Sequence, residues 1–474
     1  QDYHSYLQQA DHLERQHAFE AALAPYHLAL VEAPSPAHRI DIHNLLGRLY
    51  TRLEQYPSAT EHFQAALEGL DQLDEADRQA LRPTQAAILN HLGKLSARTA
   101  IKAAIQYHRQ ALELIRSLHA EAPEAYRAHL ANTLFALGDT YYRKSDFYQA
   151  NKCYNELVEL FSPLEAEAPD QAQPALAMAY FQLGAVAADQ DKMPEARTRY
   201  HKALYIYKQL VERYPDHYRP LLASVLNNLA VVNRIQGYLT EAKQKYEETI
   251  EAYRRLSERD PAFLPYHAAS LNSLANVYAD SWTPEDDIFA ENRGFLSGLG
   301  TLLQDSNPAP ETKDLEAAEN YYQQALDIYR QLADREPDTY AHYVATVLHN
   351  LGVLYDENRA YDQAQTHYEQ ALFLRRQLVE RQPQAFVFDL CSTQMNLVTL
   401  FQTMMEQRQD IRLKARSLDL LEDTRSRLAL YDQDQLPPAI VNLLGDLDYF
   451  SNYFQHITEA ELIAQKLKAN SRVL

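Results

Sequence analysis

The chain contains little glycine and almost no cysteine: 11 glycines and two cysteines among 474 residues. Tight hairpin turns depend on glycine, so its scarcity excludes a sheet protein built from many hairpins. Cys153 and Cys391 lie far apart, and there is no CxxC motif or Cys/His cluster, which argues against a disulfide framework and a zinc site. The abundant residues are alanine, leucine, glutamate, glutamine and arginine, and this composition predicts an all-α chain.

The chain also lacks a net positive charge and long apolar runs. Lys and Arg number 45 against 65 Asp and Glu, which gives a formal net charge of −20. That sign is wrong for a general binder of nucleic acid or of anionic membranes. No uninterrupted apolar run reaches the length of a bilayer-spanning helix. We therefore expect no nucleic-acid partner and no membrane insertion.

Motifs of catalysis are absent from the sequence. It has no GxxxxGK[ST], no HExxH, no GxSxG and no GxGxxG after a strand. The histidine pairs His12/His17 and His38/His43 have i, i+5 spacing, which places the two side chains on different faces of a helix. We expect no enzymatic activity, no cofactor and no bound metal.

The chain starts at Gln1 without an initiator methionine. This start suits a mature chain whose leader has been removed, so we expect export, with an artificially shortened start as the alternative.

Proline recurs with a fixed period. Pro123, Pro169, Pro215 and Pro261 are 46 residues apart, and Pro383 follows Pro337 by 46. A second series of small residues keeps nearly the same period, with one longer step: Gly47, Gly93, Gly138, Gly184, Ala230, Ala275, Gly352, Val398 and Gly445. Ala10 holds the same position in a first repeat, 37 residues before Gly47. We call this position the small slot. The longer step predicts an insertion of 31 residues, about 281–312, between the two helices of the seventh repeat.

Each repeat has the same internal pattern. An alanine lies 12 residues after the small slot, an aromatic residue four further on and another small residue three beyond that, as in Gly184, Ala196, Tyr200 and Ala203. Small residues let two helices approach closely, and the aromatic side chain is expected to fill the gap against the next pair. Proline ends the second helix of one repeat and starts the next repeat.

This pattern, and the segment LNNLA at 226–230, resembles the tetratricopeptide repeat family, in a long-repeat form similar to kinesin light chains and related bacterial proteins. The resemblance implies a single right-handed superhelical solenoid of about ten antiparallel helix pairs over 1–474, with degenerate repeats at 399–474. It also implies a concave groove, lined by the first helix of each pair, that binds proteins or peptides without catalysis. The lysine, asparagine and arginine set of chaperone-binding members is not reproduced at its usual positions.

Two sets of polar residues are candidates for that groove. The position three before the small slot holds Asn44, Asn90, Asn227 and Asn272, whose amides can bond the backbone of an extended peptide or, alternatively, a neighbouring helix. Basic residues cluster in the first four repeats, where they predict an acidic segment as partner: Arg15, Arg48, Arg52, Lys94, Arg98 and Arg143. The alternative is that these cations only stabilise helix C-termini.

The chain ends show no polar capping helix, and uncovered solenoid ends can stack into filaments. The candidates for such head-to-tail contacts are apolar: Tyr3, Leu7, Ile457, Leu462, Ile463 and Leu467. The sequence therefore predicts a non-enzymatic peptide-binding scaffold, with an extracellular filament protomer as the alternative. A regulatory solenoid for a partner enzyme is a third hypothesis.

Overall fold

A computed structural model describes residues 2–281, 312–432 and 436–464, and all regular structure in these residues is helical. The all-α prediction is confirmed. The predicted insertion lies outside the described residues, apart from its two helical ends.

The residues divide into two compact units, Gln1–Arg213 and Tyr214–Leu474. Unit 1 contains five helix pairs and one short additional helix, α5 (Glu75–Ala80): α1 (Tyr3–Arg15) with α2 (Phe19–Val31), α3 (Pro36–Arg52) with α4 (Tyr56–Asp71), α6 (Arg82–Ser96) with α7 (Ile101–Glu121), α8 (Pro123–Arg143) with α9 (Phe147–Phe161), and α10 (Pro169–Asp189) with α11 (Met193–Arg213).

Unit 2 contains the other five pairs: α12 (Pro215–Ile235) with α13 (Leu239–Arg259), α14 (Leu264–Ser281) with α15 (Thr312–Arg335), α16 (Pro337–Glu357) with α17 (Tyr361–Arg381), α18 (Pro383–Arg408) with α19 (Lys414–Leu428), and α20 (Pro438–His456) with helical residues 459–464. Within each unit, consecutive helices pack against one another. The count of about ten pairs is confirmed, whereas one domain over 1–474 stays a prediction.

Proline sets where the first helices begin. Pro123, Pro169, Pro215, Pro337 and Pro383 each occupy the first turn of a first helix. Proline suits this position because its missing N–H would have no intrahelical acceptor and its φ is already helical.

In six of the described pairs, the turn between the two helices uses a left-handed residue seven positions after the small slot. His17, Glu54, Ser145, Asp191 and Arg359 have φ near 60°, and only in α12–α13 is this residue a glycine, Gly237. A low glycine content therefore did not exclude left-handed turns. The packing of the helix pair holds non-glycine residues in a conformation that costs about 1–2 kcal/mol.

The small slot lets the second helix lay an aromatic ring flat on the first. A methyl group added to Gly184 would lie 2.7 Å from two ring atoms of Tyr200, and Gly47 and Gly138 meet Phe63 and Tyr154 in the same way. These rings are buried. They fill the gap inside their own pair, whereas the sequence had predicted that they fill the gap against the next pair. The reason is that the position 16 residues after the small slot faces back across the intervening turn, towards the first helix of the same pair.

Candidate functional site

The exposed faces of the first helices carry the predicted groove residues. The small slot itself points at the second helix and is buried, whereas the residue after it is exposed at Arg48 and Lys94. A rotation of 100° per residue separates the two positions, so one face packs and the adjacent one is open to a ligand.

Arg48 and Lys94 form a basic pair on neighbouring first helices, α3 and α6. His91 faces both cations, and its pKa is lowered to about 4, first by burial and then by the charges of Lys94 and Arg48. Its ring stacks on Phe63, with ring centres 5.0 Å apart. Among the described residues, neither Arg48 nor Lys94 forms an ion pair. The three side chains thus make a cationic patch around a neutral imidazole.

The four arginines that follow the first helices have partners within the fold. Arg52 pairs with Glu14 at 2.9 Å and lies over the ring of Phe19, and Arg143 pairs with Asp139 at 3.0 Å. Arg98 lies 4.4 Å from the ring centre of Tyr56, and Arg15 pairs with Asp11. Three of these guanidinium groups therefore have a carboxylate partner and the fourth has an aromatic ring, whereas Arg48 and Lys94 have a partner of neither kind within the described residues.

Asn90 is fully engaged between helices. Its Nδ2 donates to Thr133 Oγ1 of α8 at 2.7 Å, and its Oδ1 lies 3.1 Å from His108 Nδ1 of α7. These bonds tie α6 to its own second helix and to the next first helix.

Asn44 occupies the same position one repeat earlier but lacks both kinds of partner. Phe63 replaces the histidine at the aromatic position, and Ile88 replaces the threonine of the next first helix. The Oδ1 of Asn44 is buried, and it makes no hydrogen bond within the described residues. A buried amide oxygen without a donor costs about 1–3 kcal/mol, so Asn44 is a polar group that the fold alone does not explain.

In unit 2, four asparagines of the first helices α14, α16 and α18 lie close to one another or to a shared neighbour. Asn350 of α16 donates from Nδ2 to Oδ1 of Asn272 at 3.2 Å and of Asn276 at 3.3 Å, both on α14. Asn396 of α18 lies 3.4 Å from His349 Nε2, beside Asn350. We call Asn272, Asn276, Asn350 and Asn396 the asparagine row. Asn227 lies part-buried on α12.

Three members of the asparagine row were missed from the sequence. Asn350 and Asn396 stand two positions before the small slot, and Asn276 stands one after it, whereas the prediction followed only the position three before. Asn228 also stands two before, so this second spacing was the available signal.

The predicted stacking residues lie mostly inside the fold. Tyr3, Ile457 and Leu462 are buried, Leu7 is part-buried, and Ile463 is 43% exposed. Leu467 lies outside the described residues. The buried side chains pack on their own helix pairs, which leaves Leu7 and Ile463 as the predicted members with accessible surface.

The described residues contain neither a cluster of metal ligands nor a helix suited to cross a membrane. No group of three or more histidine, cysteine, aspartate or glutamate side chains there has the arrangement to hold a metal ion. None of the helices in the same residues combines the length and apolar character of a membrane span.

Comparison with known proteins is consistent with this architecture. Tetratricopeptide repeat profiles match residues 175–255 and 344–384. None of the curated protein sequences compared with the chain matches it.

Among solved structures, the apo form of RapI is 13% identical with a TM-score of 0.44, over 72% of this chain and 99% of its own. The apo quorum sensor NprR from B. thuringiensis is 14% identical with a TM-score of 0.48, over 78% and 87%. BtubC from P. vanneervenii is 19% identical with a TM-score of 0.31, over 72% and 94%. Residues 175–255 and 344–384 therefore contain tetratricopeptide repeats, within helix pairs that recur every 46 residues.

Proposed function

We propose that this protein is a non-enzymatic scaffold that binds a partner through an acidic peptide segment held on the first helices of unit 1. Helical repeat proteins typically use their extended faces in this way. The observation that carries the proposal is the basic pair Arg48 and Lys94, which has no acidic partner among the described residues of a chain with net charge −20.

An acidic segment fits this patch for two physical reasons. Carboxylates form short, charge-assisted hydrogen bonds with arginine and lysine. Because the rest of the chain is strongly acidic, an acidic ligand is attracted only where cations are left uncompensated, which restricts where it binds. Exposed arginines such as Arg259, which lies 2.8 Å from Asp216, already have a carboxylate partner.

Asn44 supplies a polar contact beside the basic pair. Its amide belongs to the same helix as Arg48, and it is not consumed by the inter-helix bonds that Asn90 makes. A peptide main chain lying across α3 offers carbonyl acceptors to the Nδ2 of Asn44, and a rotation of the side chain is needed before its buried Oδ1 can accept from a peptide N–H.

The test is binding of a fluorescein-labelled acidic peptide, rich in Glu and Asp, followed by anisotropy. Arg48→Glu with Lys94→Glu is expected to lower affinity by about tenfold or more for each cation, since a hydrogen bond to a charged group contributes about 1.5–3 kcal/mol. Wild-type affinity is expected to fall as salt rises, because the patch is exposed.

The matched control is Arg259→Glu with Arg381→Glu. It changes the net charge by the same amount at exposed ion pairs of unit 2. If the control weakens binding as much as the Arg48/Lys94 variant, the peptide senses only net charge and the proposed site is wrong.

Asn44→Leu separates function from stability. Removing a buried, unpaired oxygen is expected to stabilise unit 1 by about 1 kcal/mol and to weaken peptide binding. Asn90→Leu is the comparison, because it breaks two bonds between helices and is expected to destabilise the fold. Unchanged binding by Asn44→Leu would remove Asn44 from the site.

End-to-end stacking stays a prediction. Light scattering over a hundredfold range of concentration tests it, with Ile463→Asp as the variant expected to abolish any growth in mass. A steady mass near 54.5 kDa would contradict stacking.

A further inference from the structure

A cluster of aromatic rings covers the beginning of the first helices in unit 2. We call it the aromatic strip; its members are Tyr253, Phe263, Tyr266, Tyr329, Tyr340 and Tyr343. Tyr253 stacks on Tyr266 with ring centres 5.5 Å apart, and Tyr329 stacks on Tyr343 at 4.9 Å with nearly parallel planes. Tyr340 lies near both Tyr343 and Tyr266, so the strip is continuous from α13 to α16.

The strip has a buried layer and an open layer. The buried rings of Tyr253 and Tyr329 place their hydroxyls near Ser224 Oγ and Pro265 O, at 3.3 Å and 3.4 Å. Tyr266 and Tyr343 are 56% and 40% exposed. Within the described residues, the hydroxyls of these two and of Tyr340 make no hydrogen bond. The inner rings therefore fix the outer rings in place, and the outer rings offer flat apolar faces and free hydroxyl donors.

The aromatic strip meets the asparagine row on α16. Tyr343 and Asn350 are seven residues apart, which is close to two helical turns, so both project from the same side of the helix. Asn350 in turn contacts Asn272 and Asn276 of α14. Aromatic faces and amides thus form one surface across two neighbouring first helices.

The free polar groups of this surface are mostly donors. The Oδ1 atoms of Asn272 and Asn276 already accept from Asn350, so the Nδ2 groups of these two asparagines are left for a ligand. The three outer tyrosine hydroxyls add further donors. A ligand that suits the surface must be rich in acceptors, poor in donors and able to stack flat apolar groups on aromatic rings.

We infer that the aromatic strip and the asparagine row bind a proline-rich segment in the polyproline II conformation. Proline has no N–H and keeps its carbonyl, so such a segment presents acceptors without donors. Its rings pack on aromatic side chains, and the extended conformation is already formed before binding, which lowers the entropy lost. The inference rests on the proposed function only in that the first-helix faces bind protein segments; it concerns a different unit and a different ligand chemistry.

The experiment uses the full chain and a labelled ten-residue peptide with proline at most positions. A glycine- and serine-rich peptide of the same length is the reference ligand. Tyr266→Ala with Tyr343→Ala is expected to weaken binding of the proline-rich peptide about tenfold or more, as for tyrosine anchors in other interfaces. Tyr266→Phe with Tyr343→Phe keeps the rings and removes two donors, so a smaller loss of about three- to tenfold is expected.

The matched control is Tyr205→Ala, which removes a 65% exposed tyrosine from second helix α11 in unit 1. It should bind the proline-rich peptide like the wild type, and circular dichroism of all variants checks that the helices are intact. Equal binding of the two peptides, or full affinity in the Tyr266/Tyr343→Ala variant, would overturn the inference. Binding of a cello-oligosaccharide but not of the proline-rich peptide would also overturn it and would assign the rings to a sugar.

The acidic peptide of the proposed function is measured on the same variants. The Tyr266/Tyr343→Ala variant should bind the acidic peptide with wild-type affinity. The Arg48/Lys94→Glu variant should bind the proline-rich peptide with wild-type affinity. If the wild type binds only one of the two peptides, the proposal for the other peptide has failed.

Discussion

Gly352 provides a direct test of how the helix pairs are held together. It lies in α16 against the ring of Tyr368 in α17, which is 1% exposed. A methyl group on Gly352 would lie 2.5 Å from Cδ1, 2.7 Å from Cε1 and 2.9 Å from Cγ of that ring. Carbon atoms in contact are normally about 3.5–4.0 Å apart, so the ring must move by about 1 Å in a filled core.

The expected cost of Gly352→Ala follows from two opposing effects. Overpacking a core costs about 1–3 kcal/mol, and an overlap of this size places the change near the upper end. Alanine is about 1 kcal/mol better than glycine inside a helix, which offsets part of the cost. We expect a net destabilisation of about 2 kcal/mol.

Gly445→Ala is the matched control in the same unit. Gly445 is exposed on α20, and a methyl group there would meet no described atom within 4 Å. Only the helix-propensity gain applies, so this variant should be more stable by about 1 kcal/mol.

Hydrogen exchange followed by mass spectrometry is the suitable assay, because repeat proteins can open locally and because it reports α16–α17 and α20 separately. In Gly352→Ala, slow amides of α16 and α17 should exchange about thirtyfold faster, which corresponds to about 2 kcal/mol. In a Tyr368→Leu background the same alanine should no longer destabilise. If the amides of α16 and α17 exchange as slowly as in the wild type, or more slowly, in the Gly352→Ala single variant, the packing argument is refuted.

Three further predictions concern charge and chemistry. Arg234→Leu leaves the part-buried Asp280 without its partner at 2.5 Å and should lower the free energy of unfolding in urea by about 2–3 kcal/mol. Arg259→Leu is the control, because Arg259 and Asp216 are 70% and 82% exposed, and it should lower the free energy of unfolding by under about 0.5 kcal/mol. Burial, and then the charge of Lys94, lowers the pKa of His108 from 6.5 to about 4, so the unfolded chain binds this proton first as the pH falls. The contribution of His108 to stability should therefore be constant well above pH 6.5 and be lost between pH 6.5 and pH 4. His108→Tyr should reduce the loss of stability in thermal unfolding measured at pH 7.5, 5.5 and 4.5. Burial raises the pKa of Cys153 and of Cys391 to about 12, so neither thiol forms the reactive thiolate at neutral pH. A disulfide reagent such as DTNB should therefore label neither thiol until denaturant is added. Fast labelling of the native chain would contradict their burial.

The repeat could be read from the sequence because each helix pair contacts mainly its neighbours along the chain. Contacts that recur every 46 residues require the same residue types at the same spacing, so Gly184 and Tyr200 could be recognised as packing positions, although the structure places the ring inside its own pair and not against the next one. Proline at Pro169 or Pro215 marks a helix start for a reason local to the backbone.

Local signals failed where packing overrides them. The left-handed residue at Glu54 or Asp191 is not a glycine, so no residue type marks the turn. The helix pair around the turn supplies the free energy that keeps this conformation.

The candidate site was predictable as a set of residues but not as a set of roles. Arg48 and Arg52 are four residues apart and chemically identical, yet Arg52 reaches Glu14, 38 residues earlier, and Arg48 has no acidic partner within the described residues. Asn44 and Asn90 share one position of the repeat, and only Asn90 finds a histidine and a threonine at bonding distance.

By itself, the sequence determined the all-α class, the period, the helix starts and the positions of the small and aromatic packing residues in the repeat, because these depend on backbone preferences and on neighbours at fixed separation. Only the tertiary structure decided which polar groups the fold consumes and which it leaves to a ligand. A hydrogen bond or ion pair tolerates a variation of only a few tenths of an ångström in the distance between its two atoms. Whether two side chains from different helices reach that distance depends on how the packed helices are rotated and spaced.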